Sequence, residues 1–198
     1  MVIDYQLSYK AKTFILIYVI FLVSCEVKKP SIEVKTSKKH QVYLTSSNNN
    51  YFWGICFPFE IIIDNDSYKS KKLTYYKYFC NQKLECSRGL LYSERDNKLI
   101  KEGLNVKEIP SKSSKKYIIY SKYAIDTIKY PRSLFKEYYN KLKQSGLKDS
   151  LPIGTLEEFK LRYPKMVENL LRYDSISFNF PRLDKKNKFD IIKVPVPF

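Results

Sequence analysis

A chain of 198 residues with 44% hydrophobic and 28% charged side chains has the composition of a globular protein and the length of one domain with appendages. It has no repeats or low-complexity tracts, which excludes fibrous and largely disordered classes. The formal net charge of +16 would attract nucleic acid or anionic lipid. Lysines dominate that charge, and we interpret it as spread over a solvated surface, with no specific nucleic-acid partner.

The first 24 residues have the order of charges and apolar residues that an export signal requires. Lys10 and Lys12 precede the uncharged apolar run 13–23. A positive flank stays in the cytoplasm while a short apolar segment enters the translocon. The run is too short to span a bilayer, which takes about 20 residues. The sequence therefore predicts a signal peptide over residues 1–24.

The apolar run ends in Leu22-Val23-Ser24-Cys25, and this tetrapeptide resembles the lipobox of bacterial prolipoproteins. The resemblance implies that Cys25 receives a diacylglyceryl thioether, that the leader is cleaved before it, and that the new amino terminus is acylated. The expected partner is then a membrane, held through lipid in the bacterial cell envelope. Glu26 is not the aspartate of an inner-membrane retention signal, which favours the outer membrane. The face of that membrane stays open.

The mature chain divides into a tether and one folded domain. Residues 25–50 are mostly polar and would bury little apolar surface, so they predict a flexible tether with a short strand at 41–44. The folded domain is expected over residues 51–198.

Alternating apolar residues in the first half of this domain predict β-strands. Ile55, Phe57, Phe59, Ile61 and Ile63 share one face of a strand. Further strands are predicted at residues 73–79, 89–93, near 99–109, and at 117–123. Short strands with turns between them are typical of a sandwich. The predicted class is mainly β with an α insertion (α+β), an Ig-like or related β-sandwich.

A helical pair is predicted before the last strands. Pro131 and a stripe of apolar residues predict a helix over 132–145 that stops at Gly146. Thr155 and Glu158 fit a capping box that opens a second helix over 155–172, and Pro164 should kink or split it.

The two helical segments are expected to form a hairpin across one side of the sheets. The chain then returns to β-pattern at 175–180 and 189–196. Prolines in the last strand place that strand on a sheet edge.

Few residues offer catalytic or metal chemistry. His40 is the single histidine and falls in the predicted tether, which argues against Ser-His and Cys-His pairs and against multi-histidine metal sites. We therefore predict no metal, no cofactor and no catalytic residue. Paired carboxylates could still serve a hydrolase, although solvated charges are the favoured interpretation; the candidates are Glu60, Asp64, Asp66, Glu85 and Glu94.

Cysteines and aromatic residues give the remaining candidate sites. After lipidation of Cys25, an oxidising compartment would favour a disulfide among Cys56, Cys80 and Cys86. Cys80–Cys86 is the preferred pair, with Cys56–Cys80 or no bridge as alternatives. Trp53 is the best candidate for an exposed stacking residue, although core packing is the interpretation that we favour for it.

Three functions fit these observations. The first is a non-catalytic envelope module, a binding or structural protein whose partner is an envelope protein or a glycan. The second is an immunity-type lipoprotein that neutralises a toxin delivered into the periplasm. The third, which we favour least, is a carboxylate-based hydrolase.

Overall fold

An alternation of apolar and polar side chains organises the protein around its longest strand, β3 (Tyr51–Asn65). The computed structural model describes residues 28–47, 51–80, 87–103, 105–182 and 188–198. On β3 the odd-numbered side chains from Ile55 to Ile63 are fully buried. Cys56 and Glu60 point to the opposite face. The strand predicted here is confirmed, and its buried face fixes the side on which the core lies.

β3 lies inside a seven-stranded antiparallel sheet, the main sheet. Its other strands are β1 (Ser31–Thr36), β2 (Tyr43–Ser47), β6 (Ser87–Arg95), β7 (Lys98–Lys101), β9 (Ser113–Ala124) and β10 (Ser150–Pro152). The order across the sheet is β10-β2-β3-β9-β6-β7, and β1 also pairs with β3. β1 and β2 follow each other along one edge of β3, since Ser31 lies opposite Asp64 and Tyr43 lies opposite Cys56.

The prediction of a tether that reaches residue 50 is wrong for residues 31–47. β1 pairs with β3 over six residues, and Val42 and Leu44 are fully buried. The physical reason is the alternation of apolar and polar residues in both segments. It gives β2 a buried face and packs the partly buried Ile32 and Val34 of β1 against the core, although the average composition is polar. The folded body therefore starts at β1, twenty positions before Tyr51.

A second sheet packs over the core. It contains β5 (Tyr75–Phe79), β11 (Ser175–Pro181) and β12 (Phe189–Pro195) in the order β12-β11-β5. Ile176, Phe178 and Phe180 of β11 are buried on its inner face. β12 lies at an edge, as its prolines predict. A short pair, β4 (Lys71–Leu73) and β8 (Lys107–Ile109), forms a two-stranded sheet.

The helices lie at the positions that the sequence predicts. A 3-10 helix (Arg132–Phe135) leads into α1 (Lys136–Ser145), which ends at Gly146 in the left-handed conformation. α2 (Leu156–Arg162) and α3 (Pro164–Leu171) divide the second helical segment at Pro164. The capping box of Thr155 and Glu158 is present. None of the helices in the described part of the chain has the length and apolar character that a bilayer crossing requires.

The helices and the second sheet cover the buried face of the main sheet. The Phe159 ring of α2 lies 5.9 Å from the ring of Phe57, and the Phe57 ring lies 5.6 Å from that of Tyr123 on β9. The two helical segments contact each other, since Arg162 donates a hydrogen bond to Glu137 at 3.0 Å. The chain is thus mainly β with helices before its last strands, which confirms the α+β class.

A polar cluster joins the main sheet, the second sheet and the turn after α3 within the core. The hydroxyl oxygens of Tyr78 and Tyr123 lie 2.7 Å apart, and Tyr123 also donates a hydrogen bond to the Asp174 carboxylate. All three side chains are buried. Burial raises the pKa of Tyr78 and that of Tyr123 well above the ordinary value, so both phenols stay protonated.

Candidate functional site

The outer face of the main sheet, opposite the core, carries an open groove of about 360 Å³ that we call the outer groove. A volume of this size is at the low end of the range of small-ligand sites. It is lined by Tyr43, Thr45, Cys56, Leu90, Tyr92, Leu99, Tyr120, Lys122 and Ser150. The lining combines aromatic rings, hydroxyls and one ammonium group.

Strand alternation brings these residues together from distant parts of the chain. Cys56 lies opposite Tyr43 on one neighbouring strand and opposite Lys122 on the other. Tyr120 is two residues before Lys122, and its partner on β6 is Leu90. Because side chains on a strand alternate between the two faces, all of these residues project from the outer face.

Tyr120 is the centre of an aromatic cluster in the groove. Its ring centroid lies 5.8 Å from that of Tyr43 and 5.8 Å from that of Tyr92, the second pair at an interplanar angle of 88°. Edge-to-face contacts of this kind hold aromatic rings in place. Burial raises the pKa of Tyr120 and of Tyr92, so both hydroxyls are neutral at physiological pH.

Trp53 borders the groove and is exposed. A β-bulge on β3 shifts the pairing with β2 at this point and leaves 39% of the Trp53 surface accessible. The Lys122 ammonium lies 3.9 Å from the centroid of its ring, within the range of a cation–π contact. This placement agrees with the exposed interpretation of Trp53 and contradicts the core packing that we favoured. Its role in stacking a ligand stays a prediction.

The Thr45 hydroxyl in the groove is buried and has no hydrogen-bond partner among the described residues. Leaving a buried hydroxyl without a partner costs free energy, about 1 to 3 kcal/mol. Gly54 lies beside it, and a methyl group added there would be 2.5 Å from the Thr45 oxygen. The site therefore combines close packing with an unused polar group.

The segment between β1 and β2 carries a charged cluster across the same outer face. Lys39 pairs with Glu94 on β6 and also donates a hydrogen bond to Asn97 at 3.0 Å. His40 Nε2 lies 3.8 Å from Glu94. Burial lowers the pKa of His40 against the opposing effect of Glu94, while the hydrogen bond from Lys39 lowers the pKa of Glu94.

His40 is therefore held in place, which corrects the prediction that it lies in a mobile segment. Only 12% of its side chain is exposed, and its backbone amide donates a hydrogen bond to Ser37 at 3.1 Å. The expectation failed because the tether was inferred from composition, whereas the ordering comes from the pairing of β1 and β2 on either side of His40.

The cysteine predictions have different outcomes. Cys56 is a free thiol, so the alternative pairing of Cys56 with Cys80 is wrong. Burial raises the pKa of the Cys56 thiol to about 11, which leaves little thiolate at neutral pH. Cys80 is not free, whereas Cys86 lies outside the described residues, and their pairing stays a prediction. Cys25, the predicted lipidation site, also lies outside the described residues.

Two of the five candidate carboxylates are engaged in ion pairs. Glu60 lies 2.6 Å from the ammonium of Lys116, and Glu94 pairs with Lys39. Glu85 lies outside the described residues. In the part of the chain that the structure describes, no group of three or more His, Cys, Asp or Glu side chains could hold a metal ion.

The three groove tyrosines were missed by sequence reasoning. Tyr92 and Tyr120 lie in segments that the sequence predicts as strands, and Tyr43 lies in the short strand predicted at 41–44. The available signal was the alternation itself, which puts Tyr120 and Lys122 on one face. Strand order was needed to bring Tyr43 and Tyr92 to Tyr120, and spacing alone does not give strand order.

Comparison of the chain with protein-family models, with curated proteins and with solved structures found no match in any of the three. The function of the outer groove is therefore inferred from the chemistry of the residues that line and border it.

Proposed function

We propose that this chain is an envelope lipoprotein, held by lipid on Cys25, whose body is a non-catalytic module that binds a glycan in the outer groove. The anchor is supported by the residues Leu22-Val23-Ser24-Cys25 and by the apolar run before them. Glu26 supports the outer membrane as its location. The observation that carries the binding function is the cluster of three tyrosines in an open groove.

We also propose that the body is an Ig-like or related β-sandwich. Its support is the shared core, in which Tyr78 of the second sheet contacts Tyr123 of the main sheet with ring centroids 6.5 Å apart. The three-stranded sheet and the main sheet are each antiparallel, as in that class.

A glycan suits the groove better than an extended peptide does. An added peptide strand needs free backbone groups at a sheet edge, whereas the middle of this groove is formed by β3 and β9, whose neighbours on both sides are strands. Recognition must therefore use side chains. Aromatic rings stack on the apolar faces of sugar rings, and the Ser150 hydroxyl and the Lys122 ammonium, which also line the groove, can bind sugar hydroxyl groups.

The groove is tested by binding of envelope glycans to the purified protein on an array, followed by titration of a positive glycan. Tyr92→Ala should weaken binding by about 3- to 10-fold, because an aromatic contact contributes about 0.5 to 1.5 kcal/mol. Tyr75→Ala is the matched control, since Tyr75 is exposed on the second sheet.

Equal affinity of the two variants would overturn the groove as the site. An array without any signal, together with a protein partner whose binding Tyr92→Ala weakens, would replace the glycan by a protein ligand.

The anchor is tested by metabolic labelling with a fatty-acid analogue. Cys25→Ala should abolish labelling and leave an uncleaved precursor, because in the resembled family the leader is removed after lipid is attached. Cys56→Ala should keep both labelling and cleavage. Unmodified Cys25 in an intact chain that begins at Met1 would refute the anchor.

A further inference from the structure

One end of the main sheet, which we call the basic end, lies where the chain arrives from Cys25. Ser31 of β1 pairs with Asp64 near the end of β3, and Ser113 at the start of β9 pairs with Asn65. The loop after β3 and the turn before β9 therefore lie beside the start of β1. The basic end is defined by Tyr68, Lys69, Lys72, Lys112 and Lys188.

Lys188 belongs to this end because β12 begins next to the start of β1. Lys29 forms an ion pair with Asp190 at 3.5 Å, and Lys188 is two residues before Asp190. The same pair ties the first described residues of the chain to the second sheet. The chain thus approaches the body at the basic end and is held there.

Hydrogen bonds from the side chain of Asn65 hold the loops of the basic end together. Its side-chain amide donates hydrogen bonds to the backbone oxygens of Lys69 at 2.9 Å, Ile109 at 3.1 Å and Pro110 at 2.8 Å. The backbone amide of Lys112 donates to Ser67 at 3.1 Å. These bonds join the loop after β3 to the turn before β9, so that the side chains presented there keep their positions.

The basic end presents an aromatic ring among ammonium groups. Tyr68 is 89% exposed, and the Lys112 ammonium lies 4.4 Å from the centroid of its ring. Lys69, Lys72 and Lys188 are exposed as well, against the exposed carboxylates Asp66 and Glu108, and Lys72 lies opposite Glu108 in the pairing of β4 with β8. Tyrosine with lysine is the combination that is enriched at the surface of membranes, where lysines attract anionic headgroups.

The distance from the proposed anchor to the body is short. Ser31 follows Cys25 by six positions, and six residues span at most about 20 Å when extended. Because β1 is part of the sheet, only this short linker, which we call the leash, connects Cys25 to the body, in place of the longer tether that composition predicts. The basic end cannot move farther from the bilayer surface than the leash allows.

We propose that the basic end docks on an anionic lipid surface, with Tyr68 at the headgroup level and the lysines around it on the headgroups. This inference rests on the proposed lipid anchor at Cys25. Docking points one end of β3 toward the membrane surface. The opposite end of the sheet, with Ile128 beyond β9, then faces away from the membrane.

The test uses the mature protein purified from membranes, with Trp53→Phe as background because the chain has a single tryptophan. Tyr68→Trp and Ile128→Trp place a reporter at either end; Ile128 is 96% exposed and gives the matched control. Each protein is reconstituted in vesicles of phosphatidylcholine and phosphatidylglycerol with bromine on the upper acyl chains. Tyr68→Trp should lose most of its fluorescence and shift to the blue, whereas Ile128→Trp should keep its fluorescence.

A second arm tests the charge. Lys69→Glu with Lys112→Glu should restore the fluorescence of the Tyr68→Trp protein, and so should vesicles of phosphatidylcholine alone. Lys129→Glu with Lys148→Glu, on the part of the chain between β9 and β10, should leave it quenched. Quenching that survives the two lysine substitutions at the basic end would overturn the role of the lysines and with it the proposed docking.

Mass spectrometry of the same samples separates the two proposals. Lipid on Cys25 together with equal fluorescence of the two reporters overturns docking and leaves the anchor standing. A protein without lipid on Cys25 overturns the anchor and the docking together. Quenching at the basic end of a lipidated protein supports both.

Discussion

At the scale of single residues, the side chain of Asp174 shows how the core accommodates charge. It is 2% exposed and accepts a hydrogen bond from Tyr123, whose hydroxyl also meets that of Tyr78. A buried carboxylate is stable in a core only where donors replace the water that it loses. The cluster also joins β9 of the main sheet, β5 of the second sheet and the turn before β11, so it specifies how these layers meet.

Removal of the Tyr123 hydroxyl should therefore destabilise the protein. Tyr123→Phe takes one donor from a buried carboxylate, and we expect the free energy of unfolding to fall by about 2 kcal/mol. Tyr120→Phe is the control, since it makes the same change on the same strand and no hydroxyl bond of Tyr120 occurs among the described residues. Urea unfolding followed by circular dichroism measures both. Equal losses in the two variants would contradict the role assigned to the cluster.

At the scale of elements, β2 and β3 approach each other closely at Gly54. A methyl group at this position would lie 2.5 Å from the Thr45 hydroxyl oxygen and 3.2 Å from the backbone oxygen of Tyr123. The first neighbour is a side chain that can be shortened, whereas the second is fixed in β9. The side chain of Thr45 is thus the part of this contact that a substitution can relieve.

Gly54→Ala should lower the free energy of unfolding by about 1 to 3 kcal/mol, the usual cost of overpacking. Thr45→Ala should recover part of that loss in the double variant, because it removes the closest atom and a buried hydroxyl without a described partner. Gly103→Ala is the control, since nothing lies within 4 Å of the added carbon. Thermal unfolding of the unchanged protein, the two single variants, the double variant and the control gives the comparison, and additive effects of Gly54→Ala and Thr45→Ala would refute the proposed contact.

Elements with strong local signals could be predicted from the sequence. The Thr155 capping box, the break at Pro164 and the end at Gly146 each depend on neighbouring residues alone, and all three occur. The alternation in β1 is a weaker signal, because Ile32 and Val34 are only partly buried and the strand is ordered by pairing with β3, 23 to 33 positions away in the chain. The outer groove could not be predicted from the sequence for the same reason, because Tyr43, Tyr92 and Tyr120 meet only through the strand order β2-β3-β9-β6.

At the scale of the whole molecule, buried phenols and a buried thiol should make the free energy of unfolding fall at alkaline pH. Burial raises the pKa of Tyr163 from 10.0 to about 12 and that of Cys56 from 9.0 to about 11. It also raises the pKa values of Tyr78, Tyr120 and Tyr123. In each case the folded state favours the neutral form, and the unfolded chain gives up its proton at lower pH.

The stabilisation from these groups is fully present below the pKa of the unfolded chain and is lost as pH rises through the pKa of the folded protein. We therefore expect the free energy of unfolding to fall between pH 9 and pH 12, the window that Cys56 and Tyr163 define. Cys56 alone should account for a loss on the order of 2 kcal/mol, since one pKa unit corresponds to about 1.4 kcal/mol. Urea midpoints across this range measure the fall, and Cys56→Ser and Tyr163→Phe should each make it shallower while keeping every lysine. A fall of unchanged steepness in both variants would assign the alkaline loss to the lysines and contradict the role of the buried acids.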